Sequence, residues 1–131
     1  MGQQQLLLIV LGVIIVGIAV VVGINLFNAN SISSNRDGVI SDLNNLAVLA
    51  HEYFRKPTQM GGGSSYVNFT MPTGLSSNAN GAYTIATAGT GATSTITFQG
   101  VGTQIVTGSN YVTAKIFVKV PPLADSVGVV Y

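Results

Sequence analysis

Few side chains in this chain are able to do chemistry, and their spacing argues against a catalyst. The single histidine, His51, lies beside Glu52. On a helix, consecutive residues point about 100° apart, so this pair does not converge on a metal ion. The acids Asp37, Asp42, Glu52 and Asp125 are scattered, with neither the pairing of a glycosidase nor the pattern of a calcium loop. Gly61–Gly63 and Gly89-Thr90-Gly91 lack the lysine of a phosphate loop and do not join a strand to a helix. There are no cysteines, which excludes disulfide frameworks and thiolate metal sites. The expectation is a protein that is not an enzyme and holds no metal or cofactor. One modification motif is present, the sequon Asn68-Phe69-Thr70, which makes Asn68 a candidate for glycosylation. Ser76-Ser77 and the Thr-rich stretch 87–97 are candidates for O-linked sugars, although threonine is also an ordinary strand residue.

The composition restricts the setting of these residues. Charged side chains make up 7% of the 131 residues, against about 25% in soluble domains. Net charge is +1, and Lys and Arg are not clustered beyond Arg55-Lys56, so no nucleic-acid partner is expected. The second half, rich in Gly, Ser, Thr and Asn, suggests a neutral, hydroxyl-bearing surface. Such a surface suits close packing of many copies, because like-charge repulsion is small.

The dominant element is the uncharged run Leu6–Ile24. As a helix it spans roughly 28 Å, the hydrocarbon thickness of a bilayer. Its side chains Leu6, Leu7, Leu8, Ile9, Val10, Leu11, Val13, Ile14, Ile15, Val16, Ile18, Val20, Val21, Val22 and Ile24 leave no polar face. It must therefore be surrounded by lipid or by other protein. A cleavable signal peptide would need a basic flank and an Ala-x-Ala site, and neither is present. A plain single-pass anchor fits the length but not the absence of flanking positive charge. The third reading is a helix that sits in the membrane before assembly and in a protein bundle afterwards. Gly12, Gly17 and Gly23 interrupt the run, either to allow close helix packing or to permit local unwinding; their spacing is not that of GxxxG.

After a polar patch from Asn25 to Asn35, apolar residues recur at helical spacing. They are Ile32, Val39, Ile40, Leu43, Leu46, Ala47, Ala50, Tyr53 and Phe54, with Asp42, Asn44, Asn45 and Glu52 opposite. Arg55-Lys56 and Pro57 mark a helix end. The helix thus continues in amphipathic form, with a kink expected near Asn35-Arg36-Asp37-Gly38. Gly61–Ser65 reads as a flexible connector. Strands are expected at Tyr66–Met71, Tyr83–Thr87, Ser94–Gln99, Gln104–Thr107 and Tyr111–Val120, the last ended by Pro121-Pro122. Ala124–Tyr131 reads as an edge strand or a packed terminus. The fold class is α+β: a long N-terminal helix over a small antiparallel sheet, with Val39, Ile40, Leu43, Leu46, Ala47, Ala50, Tyr53 and Phe54 packing on the sheet. The segments are residues 1–30, the apolar helix; 31–57, its amphipathic continuation; and 58–131, the β head.

This constellation resembles the type IV pilin family, over the whole chain in architecture and more weakly in motif. The family usually carries a glutamate at the fifth mature position, where its charge compensates the terminal amine of a neighbouring subunit. Here that position, counted from Met1, is Gln5, which supplies no full charge. Gln3, Gln4 and Gln5 are instead candidates for amide contacts between copies. The resemblance implies a structural subunit of an extracellular helical filament that serves adhesion, surface interaction or motility. Its partners would be copies of itself and a pilus-type assembly machinery, with the chain held in the inner membrane before assembly. A single-pass, membrane-anchored binding module is the alternative.

Overall fold

The computed structural model describes residues 2–90, 95–120 and 125–130. One helix, α1 (Gly2–Arg55), takes up the first 54 of these. It is followed by two single turns of 3-10 helix, Thr58–Met60 and Thr73–Leu75. The strands are β1 (Gly81–Thr87), β2 (Ile96–Thr107), β3 (Asn110–Val118) and β4 (Ser126–Val130). They form one antiparallel sheet in the order β1-β2-β3-β4, an up-and-down meander. The expected α+β architecture is present.

α1 crosses the sheet over β2 and β3. Val39, Leu43, Leu46, Ala47 and Ala50 are buried, and Ile40 and Phe54 pack at the margin of the same core. They meet Tyr83 of β1, Ile96 and Phe98 of β2, and Ala114, Ile116 and Val118 of β3. The spacing of the helix residues is the reason: steps of three and four keep one stripe in register with the sheet. On β3 the alternation is equally regular. Val112, Ala114, Ile116 and Val118 face the helix, while Phe117 is exposed on the other side. Tyr53 is half-buried and its hydroxyl donates to the Val67 carbonyl at 2.8 Å.

The expected strands over Ser94–Gln99 and Gln104–Thr107 are one strand, β2, with Ser94 outside the described residues. Gly100 and Gly102, which read as a break, lie directly against α1. A Cβ at Gly100 would stand 2.7 Å from Val39 and 2.9 Å from Tyr83, and one at Gly102 would overlap the Asn35 amide. Absence of a side chain admits the helix. Asn35 uses the space, because its Oδ1 accepts from the N–H groups of Thr103 (3.0 Å) and Gln104 (3.3 Å) and its Nδ2 donates to the Asn80 carbonyl (2.8 Å). Those two N–H groups fall where the β2–β3 register shifts, so the side chain satisfies donors that the ladder leaves open.

Tyr66–Met71 is not a strand. Phe69 N–H donates to the Tyr66 carbonyl and Asn68 has φ +62°, so the segment turns back on itself. Tyr66, which an alternating strand would place with the polar set, is buried against Phe54. The connector after α1 is also an ordered turn: Gly61 closes the 3-10 turn at φ +89°, and the N–H groups of Gly62 and Gly63 donate to Pro57 and Lys56. Asn35-Arg36-Asp37-Gly38, the stretch where a kink is expected, lies within α1. The tail does form an edge strand over Ser126–Val130, whereas Pro121-Pro122 lies outside the described residues.

Two polar clusters fasten the helix at its sides. The Oδ2 of Asp42 accepts from Tyr83 (2.6 Å), Asn78 (2.8 Å) and Asn80 (2.8 Å). Burial opposes its charge, but the hydrogen bonds from Asn80, Tyr83 and Asn78 outweigh burial and hold the carboxyl below its ordinary value. Burial, then the Asp42 hydrogen bond, pushes the Tyr83 hydroxyl up. On the other side, His51 Nε2–H donates to Asp125 at 2.8 Å, and the Tyr66 hydroxyl donates to the Lys119 carbonyl at 2.9 Å. Burial, with the Asp125 carboxylate second, raises the Tyr66 hydroxyl to about 12.

A depressed carboxyl stabilises the fold above its unfolded pKa, and that contribution is lost as pH falls through the folded value. Asp42→Ala is expected to cost about 2 kcal/mol at neutral pH. Asp42→Asn is expected to flatten the loss of stability below about pH 4. Denaturant titrations across that range check both, and an unchanged acid limb in Asp42→Asn would exclude Asp42 as its source.

Candidate functional site

The feature that the fold does not account for is the first half of α1. From Leu6 (63% exposed) to Phe27 (71%) every large apolar side chain stands in the open. That covers all the residues expected to form an apolar core, Leu6–Ile24, and adds Leu26 and Phe27. The signal for those two was the apolar pair that follows Asn25. The run is helical because each peptide group finds its partner four residues back, which is the arrangement a bilayer demands. Among the described residues, α1 is the one helix long and apolar enough to cross a membrane.

Gly12, Gly17 and Gly23 sit within unbroken helix, with open space where a Cβ would stand. They narrow the rod at three levels. Gln3, Gln4 and Gln5 are helical and exposed. Polar residues return at Asn25, Asn28 and Asn30, and no charged residue occurs before Arg36. The apolar rod is thus bordered by amides at both ends. Gly2–Phe27 extends for roughly 40 Å at about 1.5 Å per residue, which exceeds the hydrocarbon core alone and leaves the amides at its margins.

Where the rod meets the head, Asn28 and Ile32 of α1 face Thr103, Gln104, Ile105 and Val106 of β2 across an open cleft of about 410 Å³. Asn68 is exposed, on the turn beside the C-terminal end of α1 and remote from the rod. His51, Glu52, Asp37 and Asp42 do not come together. Among the described residues no group of three or more His, Cys, Asp or Glu could hold a metal ion. The roles of Asn35, Asp42 and Asp125 escaped the sequence reading, since each depends on a partner dozens of residues away.

Comparison of the chain with protein-family models, with characterised proteins and with solved structures gives no match.

Proposed function

We propose that the protein is the structural subunit of an extracellular, type IV pilus-like helical filament, and not a catalyst. The observation that carries this reading is the continuity of α1. One hydrogen-bonded helix is uncovered on every face up to Phe27 and buried under the sheet from Val39. A flexible tether would serve a membrane-anchored binding module as well. A stiff rod fixed to the head gives each copy one defined attitude towards the next, which a repeating assembly needs.

The area to be covered supports many neighbours over one. A rod about 10 Å across and about 33 Å long has a lateral surface of at least about 1,000 Å², and a single partner helix covers one side of it. Transfer from lipid to a bundle of like helices changes the surroundings little, so close packing decides the balance. Gly12, Gly17 and Gly23 favour that packing. In this reading the chain waits in the inner membrane, is drawn out by a pilus-type machinery, and displays its β head for adhesion, surface interaction or motility.

The test is to shear the cells that make the protein, pellet the released material and image it by cryo-electron microscopy. Thin fibres with a helical core, containing this chain by mass spectrometry, are the expected result. Recovery of the chain in the membrane fraction alone would replace the filament with the single-pass anchored module.

A further inference from the structure

The charges left over after the head has folded are few and ordered. Asp42 and Asp125 are hydrogen-bonded within the fold; Arg36 is half-buried and engaged there; Lys56, Lys115 and Lys119 are half-buried. Asp37, Glu52 and Arg55 are exposed and make no ion pair among the described residues. All three lie away from the buried stripe of α1. Asp37 and Arg55 are 18 residues apart, which at about 3.6 residues per turn is five whole turns. They therefore share one line of the helix, on the side opposite Val39, Leu46 and Ala50. Along the axis they are separated by about 27 Å, some three Debye lengths at physiological salt. Within one chain they do not interact.

We infer that this line of α1 is an interface between copies, in which Asp37 of one subunit pairs with Arg55 of another displaced by 18 residues along the helix axis. The inference rests on the filament reading and names the partner of its helix. Between parallel copies, as a filament stacks them, opposite charges at the two ends of the same line are satisfied by a displaced copy and by no in-register one, since parallel alignment in register sets acid beside acid and base beside base. In that parallel arrangement the contact is heterologous: each copy offers its acid to one neighbour and its base to another, so it propagates, whereas an antiparallel pair would close as a dimer. Lys56 offsets Glu52 near the base, which keeps that end of the line net positive.

Charge reversal in the full-length chain, expressed in the cells that assemble it, is the test. Asp37→Arg and Arg55→Asp are each expected to lower the yield of sheared filaments about tenfold or more, because like charges then face each other. The double variant Asp37→Arg/Arg55→Asp is expected to restore filaments close to the wild-type yield. Single variants that assemble normally would overturn the pairing, as would a folded double variant no better than the worse single. The chain has no cysteine, so Asp37→Cys/Arg55→Cys filaments treated with a short bis-maleimide should give a covalent ladder. A monomer band alone from intact filaments overturns the pairing too. Absence of filaments from the wild-type chain would instead overturn the filament reading, and the pairing with it.

Discussion

On the filament reading, deleting Leu6–Ile24 is expected to leave a soluble head that neither enters membranes nor polymerises. None of the deleted side chains touches the core, which begins at Val39. The strand signal in circular dichroism and the thermal transition of the head should therefore persist. The effect on partitioning is large because many big apolar side chains are removed together, each worth roughly 1.5–3 kcal/mol on full burial. Ultracentrifugation with and without liposomes, followed by electron microscopy, reads the result. A truncated chain that still formed long fibres would place assembly in the β head and sink the role given to the rod. A single charge is the gentler version. Ile14→Lys, at the middle of the rod, should lower insertion by about 2.5–3.5 kcal/mol on biological insertion scales.

The second large effect is expected at the seam between helix and sheet. Gly100→Ala sets a methyl group 2.7 Å from Val39 and 2.9 Å from Tyr83. Neither neighbour has room to withdraw, since both are buried in the core. Overpacking of this kind costs about 1–3 kcal/mol. For a head of this size that lowers Tm by roughly 10 °C. Val39→Ala alone also destabilises, by leaving a cavity. The double variant Gly100→Ala/Val39→Ala should cost clearly less than the sum, because the new methyl group occupies part of the space vacated. Additive costs in a thermal or urea melt would show that the two residues do not share this contact.

The parts legible in the sequence are those whose cause is local. Leu6–Ile24 could be read because a helix with no polar face has no stable arrangement in water. Val39–Phe54 and Tyr111–Val120 could be read because their apolar residues keep the period of one element over several repeats. The errors arose where local pattern and distant cause diverge. Tyr66–Met71 alternates by accident, and Asn68 in the left-handed region reverses the chain before a strand can form. Gly100 and Gly102 carry the mark of a turn, yet they are glycine because a helix 60 residues earlier in the chain needs the space. Asn35 and Asp42 looked like solvated polar residues. They are fasteners whose partners lie 36 or more residues away. For the candidate site, the rod was visible from composition, but the hold of Asn35 on the sheet at its base was not.

The stretch from Asn25 to Ser34 has a mechanical consequence. On the filament reading it lies between a rod gripped by its neighbours and a head gripped by its sheet, and most of its own side chains are exposed. A pull on the head reaches the rod through this single strand of covalent chain, with no second path to share the load. Under tension it is the first part to give, since only its own peptide hydrogen bonds resist. Drawn from about 1.5 Å to about 3.4 Å per residue, these ten residues would lengthen each copy by about 20 Å. The head would stay folded and the rod would stay seated. Repeated along a polymer, such a neck would act as a series of recoverable springs, absorbing a sudden tug before any subunit is lost.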